Sequence, residues 1–90
     1  MIYLVTGNSL LFNNDYAEYT VISVDKSLKL LNSLSIIGVD TETEGIDVHT
    51  KKLLLAQFGC FDFQVVVDCR TIDITLYKEL LEDQNKLFLF

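Results

Sequence analysis

Asp40 and Glu42 stand two residues apart at the end of the apolar run Ile36-Ile37-Gly38-Val39. On an extended strand that spacing turns both carboxylates to one face, with Cα atoms ~6.6 Å apart. Two ionised carboxylates ~5 Å apart repel by roughly 3 kcal/mol at an effective dielectric near 20, and by under ~1 kcal/mol in bulk water. A half-buried pair therefore favours a bound cation. No imidazole or thiolate stands close by in the sequence, and an oxygen-only donor set suits Mg²⁺ or Mn²⁺ rather than zinc. Two such cations ~3.5 to 4 Å apart, bridged by one acid, activate a water and stabilise a leaving oxygen in phosphodiester hydrolysis. Phosphoryl chemistry is the expectation this pair raises. With 13 Asp plus Glu in 90 residues, a bare Asp-x-Glu also arises easily by chance, so the competing reading is a pair of solvated strand-end acids.

Composition bears on both readings. Seven Lys plus Arg against thirteen acids give a formal charge of −6. That is opposite to the footprint of a protein that grips nucleic acid by neutralising its phosphates. A protein that holds a polyanion through divalent cations escapes the objection, because the metals supply the positive charge. Half of the residues are hydrophobic, Pro is absent and Gly numbers 4, a balance that excludes collagen-like and disordered classes. The longest apolar run, Met1–Val5, is far shorter than the ~20 residues of a spanning helix. No charged segment precedes an apolar stretch at the N-terminus, so a cytoplasmic setting away from membranes is expected. Cys60 and Cys69 are too few for a disulfide framework and read as reduced thiols in or near the core.

The elements that must position the acids follow from periodicity. Ile2–Val5 and Tyr19–Val24 read as short strands around an Asn-rich loop, the first as an add-on. This places a 1–18 extension before a domain of 19–90. Leu28, Leu31 and Leu34 at helical spacing predict an amphipathic helix over 25–34, with Ser23 or Asp25 as its cap. The near-continuous apolar run through Asp40 predicts a central strand buried on both faces, ending at Glu44-Gly45. Leu53–Phe58 and Phe63–Asp68 predict a hairpin about Gly59–Asp62. Leu76, Tyr77, Leu80 and Leu81 predict a helix over 72–81 that packs these four residues, capped by Thr71 or Asp73. Lys86–Phe90 then predicts a strand parallel to the one ending at Asp40. An α/β fold results, with three antiparallel strands, a helix and a parallel strand. Four apolar residues at the C-terminus suggest a natural polypeptide that continues.

Asp40-Thr41-Glu42-Thr43-Glu44-Gly45-Ile46-Asp47 resembles the first motif of the DEDD superfamily of 3′–5′ exonucleases. Together with the Leu53–Gly59 and Val65–Asp68 strands and the Leu76–Leu81 helix, it is similar to the proofreading domain of DNA polymerase I and to ribonuclease D. The resemblance spans roughly 19–90 and implies a ribonuclease H-like mixed sheet, here incomplete. It further implies that Asp40 ligates both metals of a two-metal Mg²⁺ or Mn²⁺ site and that Glu42 ligates the metal holding the attacking water. Thr41 and Thr43 would line the path of the 3′-terminal nucleotide, and Ile46 would wedge against its base or simply fold back onto the sheet. The implied activity is removal of nucleotides from single-stranded 3′ ends, foremost of DNA in proofreading, with a polymerase domain or subunit as possible partner. The alternatives are a ribonuclease D-like RNA-processing exonuclease and a non-catalytic nuclease-like scaffold. The family's second and third motifs, with the remaining acids and the general base, are expected beyond Phe90, so this chain alone is expected to be inactive.

The remaining polar residues are expected to be structural. His49, Lys51 and Lys52 read as solvated loop residues, Glu44 as a turn residue, and Gln57 as a buried mid-strand amide bonded to neighbouring backbone.

Overall fold

The computed structural model describes residues 1–8, 18–43 and 53–90. Its strands are β1 (Ile2–Val5), β2 (Thr20–Val21), β3 (Ile36–Thr43), β4 (Leu53–Gly59), β5 (Gln64–Asp68) and β6 (Leu87–Leu89). Its α-helices are α1 (Val24–Asn32) and α2 (Lys78–Leu81), the latter entered through a 3-10 turn over Ile74–Tyr77. The six strands form one sheet in the order β2-β1-β5-β4-β3-β6. β4 runs antiparallel to both β3 and β5, β1 lies parallel to β5, and β6 returns parallel to β3 after the helical crossover, as periodicity predicts for β3 to β6.

Local chemistry explains the element ends. Ser23 caps α1, its hydroxyl oxygen accepting the Lys26 N–H at 3.1 Å, and satisfies one of the donors orphaned at a helix start. The β4–β5 hairpin closes through Cys60 N–H donating to the Phe63 carbonyl at 3.0 Å. Gly59 is required there, because a Cβ would collide with the Phe63 carbonyl oxygen and the Gln64 side chain. Asp73 caps the 3-10 turn by accepting the Thr75 N–H at 2.9 Å.

Period two then splits the sheet residues between faces. Val5, Ile37, Ala56, Phe58, Val65 and Val67 turn to one face and form the core with Leu31, Tyr77 and Leu80. Phe58 and Tyr77 stack with ring centroids 5.8 Å apart. The buried Tyr77 hydroxyl lies 2.6 Å from Ser27 Oγ, which in turn donates to the Val24 carbonyl at 2.6 Å. Burial pushes the Tyr77 phenol above its usual range, against the lowering effect of the Ser27 hydrogen bond, so it is a neutral donor that ties α1 to the crossover.

Three expectations are corrected. β1 is not an add-on: it pairs with β2 on one side and β5 on the other and buries Leu4 and Val5. Residues 2–5 of the segment expected as an extension thus lie inside the same sheet as the rest. β3 is not covered on both faces among the described residues, since Ile36 is 54% exposed while Ile37 is buried. The continuous apolar run marks one face that packs against helices and another that is apolar but open. The crossover buries Tyr77 and Leu80 and leaves Leu76 and Leu81 exposed, because a 3-10 turn brings every third residue, not every fourth, to the same side.

Tyr77→Phe should cost about 1 kcal/mol, the net worth of one buried hydrogen bond, and Tyr77→Ala about 4 kcal/mol through the cavity it leaves. Urea unfolding of both variants measures the difference. At the sheet edge, β6 has no outer neighbour among the described residues, and Leu87, Leu89 and Phe90 are exposed. Such an edge is a template for pairing with another chain. Sedimentation velocity should therefore show concentration-dependent association that Leu89→Lys reduces.

Candidate active site

The register of β3 and β4 sets Asp40 opposite Gln57 and Glu42 opposite Leu55. β5 continues the rows, with Val66 beside Gln57 and Asp68 beside Leu55. Residues paired across strands share a face, so both acids stand on the face turned away from Tyr77, Leu31 and Leu80. Asp40, Thr41, Glu42, Leu55, Gln57 and Val66 line a small cavity of about 40 Å³ there. Both acids are exposed. Asp40 Oδ1 accepts the backbone N–H of Thr41 at 2.9 Å, which fixes the carboxylate against the strand. Beyond Glu42 the register shifts by a bulge before Thr43 pairs with Leu53, a device that re-aims side chains at a strand end.

The structure thus brings Asp40 and Glu42 together as their spacing requires. Thr41 alternates away from them along β3 and also borders an apolar groove with Val39, Ala56 and Phe58, whereas Thr43 follows the bulge and pairs with Leu53. Ile46, Glu44, His49, Lys51 and Lys52 lie outside the described residues. Gln57 corrects its expectation: it is exposed, and its Nε2 donates to Gln64 Oε1 at 3.1 Å instead of to backbone. The amide is solvated because the carboxylate face is open there. Cys60 and Cys69 are both free thiols. Among the described residues no third His, Cys, Asp or Glu gathers with the pair. The donor set is nonetheless two exposed carboxylates flanked by an amide, all oxygen donors, and it fits a hard divalent cation that completes its shell with water or substrate oxygens.

A second polar cluster in the same row was not singled out by the sequence. Asp68 ends β5 with no exposed surface. Its Oδ2 accepts the Thr6 hydroxyl at 2.7 Å and the Thr71 hydroxyl at 2.8 Å. Its Oδ1 accepts the Arg70 backbone N–H at 3.2 Å and Arg70 Nε at 3.0 Å. The threonine oxygens accept in turn, Thr71 Oγ1 from Gly7 N–H at 2.8 Å and Thr6 Oγ1 from Asn8 N–H at 3.1 Å. One carboxylate thereby clamps the chain leaving β1 to the chain leaving β5. Burial raises the Asp68 pKa, but the hydrogen bonds from Thr6, Arg70 and Thr71 outweigh it and hold the carboxyl below its usual range. The available signal was the apolar run Val65-Val66-Val67 closing on an acid, the same pattern that marks Asp40.

No family model matches the sequence, and no curated protein matches it. Solved structures do resemble the fold. The catalytic core of RRP6 from Trypanosoma brucei superimposes with a TM-score of 0.66 at 14% identity, over 96% of this chain and 21% of that one. RNase D of Escherichia coli, an exoribonuclease involved in structured RNA processing, gives 0.61 at 21% identity, over 80% of this chain and 20% of its own. The EXO domain of Aedes aegypti Nibbler gives 0.57 at 18% identity, over 94% of this chain and 33% of that one. The fold is therefore ribonuclease H-like and matches part of the fold of each of these neighbours. This chain spans about a fifth of the first two neighbours and a third of the other.

The depressed pKa of Asp68 has a defined sign. Its folded value lies below the unfolded one, so its stabilisation is fully present above the unfolded value of 3.8 and is lost as pH falls through the folded value. Asp68→Asn should cost roughly 2 to 4 kcal/mol at neutral pH by leaving buried donors poorly matched. Thermal melts of parent and variant should converge on acidification.

Proposed function

We propose that this chain forms the front part of a metal-dependent 3′–5′ exonuclease domain that acts on RNA. The observation that carries the reading is the Asp40–Glu42 pair, set by register on the open face of a ribonuclease H-like sheet. The likeness to E. coli RNase D, an exoribonuclease, supports RNA as the substrate class. The DNA-proofreading role and polymerase partner that the sequence put first draw no comparable support from these neighbours.

In this reading Asp40 and Glu42 hold Mg²⁺ or Mn²⁺. A bound divalent cation supplies the Lewis acidity that activates water and stabilises the leaving oxygen of a phosphodiester. The chain's own residues do three things. The Thr41 N–H orients the Asp40 carboxylate. The β3–β4 register keeps Glu42 on the same face. Leu55 and Val66 supply an uncharged floor beneath the pair. The two acids are half of the four carboxylates that the resemblance implies.

Titration of Mn²⁺ into the chain, followed by paramagnetic line broadening, should broaden resonances of β3 and β4 around Asp40, and Asp40→Asn should abolish the effect. Equal broadening in parent and variant would overturn the metal site. With Mn²⁺ bound, a single-stranded RNA should compete several-fold better than DNA of the same sequence in fluorescence anisotropy, and neither should release mononucleotides. DNA preference would restore the proofreading reading. Metal binding without any oligonucleotide binding would favour a scaffold.

A further inference from the structure

We propose that Arg70 is a phosphate-backbone contact that guides a single strand of nucleic acid into the Asp40–Glu42 site. The inference rests on the exonuclease reading above and adds to it a residue that no metal motif contains. Its starting point is the row that runs across the sheet from Glu42 through Leu55 to Asp68. With strands ~4.8 Å apart, two steps separate Glu42 and Asp68 by ~10 Å on the same face, within the reach of a strand a few nucleotides long. Arg70 donates from Nε to Asp68 Oδ1 at 3.0 Å, so its guanidinium sits at that end of the row.

Three features suit it to phosphate. The first is preorganisation. Nε and the backbone N–H both engage Asp68 Oδ1, and Asp68 is itself held by Thr6 and Thr71, so the plane of the fork is set before a ligand arrives. A planar guanidinium whose orientation is already fixed loses less entropy when it meets an oxyanion. The second is access: the Arg70 side chain is 41% exposed although its partner carboxylate is fully buried. Two hydroxyls and a backbone N–H already serve that carboxylate.

The third is placement of charge. The other basic side chains among the described residues are elsewhere. Lys26 and Lys29 are on α1 and Lys78 is on α2, elements that pack on the opposite face. Lys86 donates to the carbonyls of Asn32 and Leu34 at 2.9 and 2.5 Å, beside the start of β3. Among the basic side chains of the described residues, Arg70 is the one that follows a strand ending in the row of Glu42. In a chain of net charge −6, a polyanion approaching two carboxylates needs positive charge beyond what a metal pair provides, and Arg70 supplies it at the ends of the parallel strands β1, β3 and β5.

The test is anisotropy of a 5′-fluorescein single-stranded oligouridylate with the Mn²⁺-loaded chain, measured across a series of NaCl concentrations. Arg70→Gln retains a side-chain amide that can donate to Asp68, and should weaken binding about tenfold at low salt. It should also flatten the slope of log K against log salt by about 0.7, the value for one phosphate of a single strand. Arg70→Lys should keep the slope and recover part of the affinity. Lys29→Gln, the same charge change on the exposed side of α1, should leave the slope unaltered. Methylphosphonate substitution of single phosphates should locate one linkage at which parent and Arg70→Gln bind alike, a result that a merely structural role for Arg70 would not produce. Mn²⁺ broadening should be the same in every variant. A parent-like slope in Arg70→Gln overturns this inference alone, whereas a parent that binds Mn²⁺ but no oligonucleotide overturns it together with the reading beneath it.

Discussion

Packing of α1 and the crossover helix on one face of the sheet governs the rest of the molecule. Tyr77, Leu31 and Leu80 bury Ile37, Ala56, Phe58, Val65 and Val67, and each buried strand residue forces its neighbours in sequence to the other side. Asp40 and Glu42 therefore never compete with the core for space. Shifting β3 by one residue would put both carboxylates under Tyr77, where an unpaired charge costs several kcal/mol, so the register that makes the core also holds the acids at the surface. Stability and the candidate site are two outcomes of one constraint.

The same constraint explains why an apolar face is left open. Ile36, Leu87 and Leu89 share the carboxylate face through the parallel pairing of β3 with β6, and each is more than half exposed. Ile36 lies on β3 and Leu87 and Leu89 on β6, and among the described residues both strands have helices on one side only. The solved neighbours are three to five times longer than the part this chain matches. Beside those exposed side chains the acids stand open to solvent, while the sheet carries an aggregation hazard at the β6 edge.

Two carboxylates of this sheet illustrate how environment assigns roles to identical chemistry. Asp40 ends an apolar run, is exposed and, among the described residues, accepts a single backbone N–H. Asp68 ends a similar run, is inaccessible and accepts four hydrogen bonds. Saturated with donors, Asp68 is an anchor that fixes the strand ends and orients Arg70. Asp40, exposed and with few donors among the described residues, is the acid to which the proposed cation site falls.

Residue order alone indicated a good part of this structure. Alternation and apolar runs marked β1, β3, β4, β5 and β6, because a strand's period of two is written in consecutive residues, and the caps fell to one of the two candidates at each helix start, Ser23 over Asp25 and Asp73 over Thr71. The spacing of Asp40 and Glu42 likewise required a shared face on any strand. What residue order left open involves partners distant in the chain. The insertion of β1 between β2 and β5, the 3-10 entry that exposes Leu76 and Leu81, and the solvation of Gln57 all depend on which surfaces meet. The Asp68 cluster is the clearest instance, since Thr6 and Thr71 are 65 positions apart and acquire a common acceptor only when β1 lies beside β5. A strand's period is a property of its own backbone, but a hydrogen bond across the sheet exists only once the long-range pairing has formed.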